Sequence, residues 1–259
     1  MIPLLPLAPG WLVNSYAFFM SAGFAVAFLL VLSRARRAGL DEDRALTLLI
    51  SIFLSSLAGA RAFFVWEAWP YFAARPIEIP LLWHGGLSFY GGLVFGVATA
   101  VIMARRLGAS VRATLDLLTP ALALGHAFGR LGCLYHGCCY GRVTSGPLGV
   151  VFANGPADHL ARHPTQAYEC VALVVLYLVT LHLTDRKGYS AAGRVTGFYL
   201  VAYAVLRFAL ENLRDDMVGP VFAGLFRYQW VSVGVLAAGV VLLVSRGQDS
   251  SSPMSPSLR

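Results

Sequence analysis

Along the chain, apolar residues gather into seven long blocks, and the breaks between them are short and rich in arginine, glycine and proline. The blocks lie near 14–33, 45–67, 87–104, 114–129, 165–184, 194–212 and 228–245. A helix needs about 20 apolar residues to cross about 30 Å of hydrocarbon, and each block comes close to that length. The pattern predicts an all-α membrane protein with seven transmembrane helices. The fourth block is the shortest and holds Pro120. Proline removes a backbone donor inside a helix, so this block is expected to kink or to cross only part of the layer. Residues 1–246 read as one seven-helix transmembrane domain. The tail, 247–259, is rich in serine and proline and reads as disordered. The first residues, MIPLLPLAPGW, carry no basic side chain, so 16–32 reads as a retained helix rather than a cleaved signal. No internal repeat of the inverted kind used by many transporters is visible.

Composition supports the membrane reading and excludes others. The chain is 58% hydrophobic and 13% charged, whereas soluble domains carry about 45–50% apolar and about 25% charged residues. A net charge of +7 would suit nucleic acid if the basic residues formed a face. Instead all but Lys187 are arginines, and they cluster at block ends. Twelve of them fall in the first, third and fifth connections and after the last block, from Arg34, Arg36 and Arg37 to Arg246 and Arg259. The opposite side has five: Arg75, Arg142, Arg162, Arg214 and Arg227. Excess basic residues mark the cytoplasmic side, so the N-terminus is expected outside and the C-terminus inside. Four cysteines are too few for a disulfide framework.

Residues 129–142, GRLGCLYHGCCYGR, hold two arginines, a histidine and three of the four cysteines. The expected topology puts them on the outer face, with 143–164, the end of the sixth block and the start of the third. Arg61, Arg207 and Glu211 fall inside blocks, and Arg130 at the end of one. A charge at the centre of a membrane helix costs about 2.5–3.5 kcal/mol on insertion scales, so such residues usually face a polar cavity and have a role. Arg207 and Glu211 share a helix face, which suits a functional pair or an ion pair locking helices together. Tyr203 shares that face with Arg207, and Tyr199 stands one turn earlier; interface anchoring is the alternative for such tyrosines. Several arginines in a membrane cavity suit a phosphate, because guanidinium is planar, bidentate and always charged. A phospholipid head group is the natural ligand at that depth. Arginine can stabilise a leaving phosphate alone, so no metal and no cofactor is expected.

The cysteines form the pattern Cys133-x4-Cys138-Cys139 with His136 between, and Cys170 follows in the next block. Zinc motifs usually combine two cysteine pairs, and the second is missing here, so no metal is assigned. A disulfide from Cys133 to Cys138 or Cys139 and a reactive thiolate beside Arg130 and Arg142 both remain open. Cys170 reads as a small buried apolar residue. His163-Pro-Thr-Gln-Ala-Tyr-Glu169 opens the fifth block; Pro164 and Thr165 suit a helix start, and Gln166 and Glu169 share a face. Capping and anchoring alone could account for that stretch, with a role in the site as the other reading.

At these residues the chain resembles the prolipoprotein diacylglyceryl transferase family. The matching motifs run in order over nearly the whole chain: Tyr16, Gly59-Ala-Arg61, His84-Gly-Gly-Leu-Ser-Phe-Tyr-Gly-Gly92, Gly129-Arg-Leu-Gly132 through Arg142, His163 to Glu169, and Tyr203-x3-Arg207-x3-Glu211-x2-Arg214. The resemblance implies a multi-pass protein of the bacterial inner membrane with its active site toward the periplasmic face. It implies transfer of a diacylglyceryl group from phosphatidylglycerol to the lipobox cysteine of a prolipoprotein, with release of glycerol phosphate. Membrane lipids are then the other partners, and nucleic acid is not one. Carried over, Arg130 binds the lipid phosphate, Arg207 stabilises it as it leaves, and Glu211 orients Arg207. Arg61, Tyr16, Tyr203 and Cys133 fall on the lipid side of the site.

The chain departs from the family on the acceptor side. Cys133, His136 and Cys138 stand where the family usually has two asparagines and a glutamate, and Tyr90 where it often has a histidine. A phenol with a pKa of about 10 is a weaker base at neutral pH than imidazole. Tyr90, His136, His84 and Cys138 are the candidates on this side. The alternatives are a related phospholipid-dependent transferase with a different acceptor, or a non-catalytic lipid-binding or redox-sensing membrane protein.

Overall fold

The structure is a computed structural model and describes residues 4–8, 11–38, 40–82, 85–152, 155, 158–187, 193–215 and 222–245. A short antiparallel hairpin, β1 (Leu4–Ala8) and β2 (Trp11–Asn14), comes first. Eight helices follow among the described residues: α1 (Ser15–Ala35), α2 (Glu42–Glu67), α3 (Trp69–Ala74), α4 (Phe89–Arg106), α5 (Val111–His136), α6 (Thr165–Lys187), α7 (Arg194–Glu211) and α8 (Arg227–Val244). The seven long helices coincide with the seven apolar blocks. Six of them, all but α7, are long and apolar enough to cross a membrane. Arg194, Arg207 and Glu211 make α7 too charged to count by composition. The protein is thus a multi-pass helical membrane protein. The hairpin is a small departure from an all-α chain: pairing Leu4 with Asn14 and Leu5 with Val13 satisfies backbone groups ahead of α1. The serine-rich tail, 247–259, lies outside the described residues.

The fourth block departs from expectation. It does not stop at 129: α5 runs for 26 residues, through Pro120 and on to His136, long enough to cross a membrane. The reason is its contact with α1. Gly125, Gly129 and Gly132 recur at one helical face, and α1 lies close against them. A Cβ on Gly129 would stand 3.3 Å from Met20 Sδ, and one on Gly132 would stand 3.3 Å from Phe19 Cβ and Tyr16 Cδ2. In a membrane, close backbone approach over small residues is a main source of helix association, so the contact sustains the helix past its apolar stretch.

The chain divides into two compact units. One comprises residues 1–33 and 116–248. In it, Ala123, Ala127, Leu173 and Tyr199 form a core from α5, α6 and α7, with Cys170 half-buried against it. Asp116 of α5 is buried and caps α7 from outside the helix: it accepts from Gly193 N at 2.8 Å, Thr196 N at 2.8 Å and Thr196 Oγ1 at 2.7 Å. A carboxylate among the free N–H groups of a helix start satisfies both sides and sets the level of α7 along α5. Gly197 and Gly239 let α7 and α8 meet backbone to backbone. Phe24 and Leu29 on α1, Val171 and Leu178 on α6, and Val241 and Val244 on α8 are exposed, as side chains facing lipid would be.

The other unit comprises 34–115 and 249–259, the latter outside the described residues. Asp41 caps α2 by accepting from Arg44 N at 2.8 Å. Polar contacts tie α2 to α4: Thr99 Oγ1 donates to Ser55 Oγ at 2.7 Å, and Ser88 N donates to Ala60 O at 2.9 Å.

The α7–α8 contact predicts a position-specific cost on α8. A Cβ at Gly239 would stand 2.9 Å from Val201 N and 3.0 Å from Gly197 O, whereas one at Gly234 meets nothing within 4 Å. Gly239→Ala should destabilise the protein by about 1–3 kcal/mol, and Gly234→Ala should not, as measured by thermal unfolding in detergent.

Candidate functional site

At the centre of the larger unit stands Glu169, early in α6 and 1% exposed. Its Oε2 pairs with Arg130 Nε of α5 at 3.0 Å and faces Arg207 Nη1 of α7 at 3.6 Å. Its Oε1 accepts from Tyr203 OH at 3.0 Å and faces His126 Nε2 at 3.7 Å. Arg207 also pairs through Nη2 with Glu211 Oε2 at 2.9 Å, the i, i+4 pair expected along α7, and Glu211 is fully buried. The Tyr228 ring of α8 lies 5.9 Å from the Arg207 guanidinium carbon. Tyr203 packs edge-on against His126 at 5.2 Å and stacks on Tyr199 at 5.9 Å.

Helix periodicity explains the convergence. His126, Arg130 and Cys133 recur at i, i+4 and i+7 on α5, next to the glycine face turned to α1. Tyr203, Arg207 and Glu211 recur at i, i+4 and i+8 on α7. Two guanidinium and two carboxylate groups balance in charge, as buried charges must. Three of the expected site residues, Arg130, Arg207 and Tyr203, therefore meet one carboxylate, and a fourth, Glu211, joins them through Arg207. That carboxylate and His126 are the residues that sequence reasoning missed. The available signal was an ionisable side chain inside an apolar helix, for which capping and anchoring at a helix start is the competing explanation in the case of Glu169.

Next to this cluster lies the cysteine-rich end of α5. Arg130 falls inside the helix rather than at its end, because α5 continues to His136. All four cysteines are free thiols. The sulfur atoms of Cys133, Cys138 and Cys139 lie within 4.8 Å of one another, three soft donors able to hold a metal. Hydrogen bonds from the Cys133 and Cys138 thiols hold the Cys139 thiol below its ordinary pKa, and the charges of Arg214 and Arg130 act the same way. His136 closes α5 with its ring 6.5 Å from that of Tyr16. The connection that follows pairs with the segment after α7: Arg142 N donates to Leu213 O at 2.8 Å, and Gly141 N to His163 O at 2.8 Å. Gly141 is required there, since a Cβ would stand 2.8 Å from Thr165 Cγ2 and 2.9 Å from His163 Cβ. Arg162 holds this layer to Asp158 at 2.6 Å and to Asp215, beneath the Tyr140 ring.

Arg61 and Tyr90 belong to the other unit. Tyr90 lies in the first turn of α4, partly exposed, with its ring 5.8 Å from that of Phe89. His84 lies outside the described residues. Arg61 is buried, and each of its five N–H donors meets a main-chain carbonyl: Nε on Ile79 at 2.7 Å, Nη1 on Gly85 at 2.7 Å and Gly86 at 3.0 Å, and Nη2 on Glu78 at 2.7 Å and Leu81 at 3.3 Å. Five donors is the full complement of a guanidinium. Arg61 thus organises the connection between α3 and α4, with its guanidinium against the Phe72 ring at 5.2 Å.

The chain is similar to known proteins over nearly its whole length. The profile of the family described as prolipoprotein diacylglyceryl transferase matches residues 4–245. Among similar proteins, the phosphatidylglycerol–prolipoprotein diacylglyceryl transferase of Streptococcus mutans is 30% identical, covering 97% of this chain and 96% of its own. The protein of the same name from Streptococcus agalactiae is 31% identical, covering 96% of this chain and 95% of its own. That from Bordetella parapertussis is 33% identical, covering 95% and 94%.

Two outcomes follow from these contacts. Glu169→Ala removes the carboxylate that Arg130 pairs with, while Arg207 keeps Glu211, and should cost about 3–5 kcal/mol in thermal unfolding, with Glu169→Gln costing less. Arg61→Lys keeps the charge but loses the five-donor fork, so limited proteolysis should cut faster within 76–82.

Proposed function

The chain belongs to the prolipoprotein diacylglyceryl transferase family, and we propose that it moves a diacylglyceryl group from phosphatidylglycerol to the lipobox cysteine thiol of a prolipoprotein, releasing glycerol phosphate. One observation carries this reading: Arg130 and Arg207, from different helices, converge on one buried carboxylate. That is the arrangement of a phosphate site held in shape by an internal anion. The lipid phosphate replaces the longer Arg207–Glu169 contact, at 3.6 Å, while Arg207 keeps its shorter hold on Glu211 at 2.9 Å. Arg130 meets Glu169 through Nε and offers its Nη groups to the phosphate oxygens.

In the transfer, the acceptor thiol gives up its proton on the acceptor side, and its sulfur attacks the glycerol carbon next to the phosphate oxygen. An S–C bond forms, the C–O bond breaks, and the electron pair leaves with the phosphate. The phosphate thereby goes from a singly charged diester to a more negative monoester. Arg207 faces this developing charge, already oriented by Glu211, so it stabilises the transition state more than the bound lipid. Tyr16, Tyr203 and Cys133 line the lipid side. Tyr90, His136 and Cys138 serve the acceptor side. Arg61 supports lipid binding through the connection it holds rather than through donors of its own.

The reading extends to placement. Residues 1–246 form one seven-helix transmembrane domain, with α7 crossing beside its partners despite its charges. The N-terminus lies outside, the C-terminus in the cytoplasm, and the site faces the periplasmic side of the inner membrane. The twelve-to-five bias of basic residues supports this orientation.

The test is direct. Purified protein given phosphatidylglycerol and a lipobox peptide should yield glycerol phosphate and lipidated peptide. Arg207→Ala should lower turnover by about 10²–10³-fold, the usual effect of removing a donor from developing charge, and Arg130→Ala should weaken use of the lipid. Full activity in both variants would overturn the mechanism.

A further inference from the structure

Three thiols meet at one point in this fold, and the local backbone explains how. α5 ends at Gly137, whose φ of 80° is left-handed, and Cys138 N donates back to Cys133 O at 3.1 Å. The chain doubles over the helix end and sets Cys138 beside Cys133. Cys139 is also left-handed, with φ 61°, a conformation that costs a residue bearing a Cβ about 1–2 kcal/mol. The start of α6 holds it there. Thr165 Oγ1 donates to Cys139 O at 2.9 Å, and Gln166 Nε2 donates to Cys138 O. Two anchored carbonyls and two left-handed residues turn the third sulfur toward the other two.

Three thiolates are soft ligands, which select thiophilic ions such as zinc. Zinc binds sulfur at about 2.3 Å in a tetrahedron, so bound sulfurs lie about 3.8 Å apart. The three sulfurs, all within 4.8 Å of one another, already stand close to that spacing. Zinc held by three protein ligands keeps a fourth position for a substrate. Cys133 is buried, whereas Cys138 and Cys139 are half-exposed, so that position is reachable. Three thiolates around zinc leave one net negative charge. The charges of Arg214 and Arg130 both act on this cluster.

We propose that Cys133, Cys138 and Cys139 bind one zinc ion, and that its open position takes the acceptor thiol of the substrate. The acceptor role rests on the transferase reading above; the metal site does not. On joining the metal, the acceptor S–H gives its proton to solvent, since a coordinating thiol is deprotonated outright. The bound sulfur then attacks the glycerol carbon: the S–C bond forms, the C–O bond breaks, and the electron pair departs with the phosphate. Zinc changes neither oxidation state nor charge. The site thus activates a thiol with no strong base required.

The experiment uses the full chain purified in detergent without chelator, with zinc and then cobalt(II) as probes. One zinc should bind per chain. Cys133→Ser, Cys138→Ser and Cys139→Ser should each lower the affinity by at least about 10-fold, and Cys170→Ser should leave it unchanged. The cobalt form should show sulfur-to-metal charge-transfer bands that shift with a lipobox peptide and not with its serine counterpart. Failure to bind zinc while all three thiols react with a thiol reagent would overturn the proposal, as would a disulfide among them in the purified protein. Cobalt bands indifferent to the cysteine peptide would overturn the acceptor role. If the bands respond but no glycerol phosphate forms, the metal site stands and the transferase reading falls. If transfer continues undiminished after zinc removal, the activating role falls and the transferase reading stands.

Discussion

A buried carboxylate between two guanidinium groups is the constraint on which the larger unit depends. Glu169 is almost wholly enclosed, and so is Glu211. Charges removed from water are stable only when paired at short range, and breaking such a pair costs more than forming it gains. The pairs draw on α5, α6 and α7, so these helices must hold one relative level. Two features supply it. Asp116 caps α7 from α5, and a glycine face on α5 receives α1. Packing and capping set the level, and the ion pairs depend on it.

The same geometry explains why the buried charged cluster and the thiol cluster stand together. His126, Arg130 and Cys133 occupy one stripe of α5. Following that stripe leads from the charged cluster to the helix end, where the chain reverses at Gly137. The connection beyond α5 is then held by the segment after α7 and by the first turn of α6, through Gly141, Thr165 and Gln166. The elements that carry the two arginines thus also carry the cysteines.

The smaller unit uses its buried charge differently. Arg61 sits in α2, where desolvation is as costly as for Arg207, yet its partners are carbonyls rather than a carboxylate. Irregular backbone near a membrane leaves polar groups that lipid cannot satisfy. A guanidinium with five donors satisfies several of them at once. An intramembrane arginine can therefore serve as a ligand for a substrate or as a ligand for the chain itself.

Much of this was legible in the sequence. Apolar block length follows from hydrocarbon thickness, so the seven long helices could be placed to within a few residues, α5 excepted. The cost of a lone charge in a span marks Arg130, Arg207 and Glu211 as paired or functional residue by residue. Partners were not legible, because pairing depends on which helices adjoin and at what level. Glu169 looked like a helix-start residue until α5 and α7 closed around it, and His126 looked like part of an apolar run. The length of α5 depended on α1, whose contact outweighs the polar residues after 129. The convergence of three cysteines depended on two left-handed residues and two anchored carbonyls, which no spacing rule reports. Hydrophobicity and charge are properties of single residues and short windows, so the sequence by itself determined the spans and the chemistry available. Proximity is a property of the packed whole, so only the tertiary structure decided which of those groups could act together.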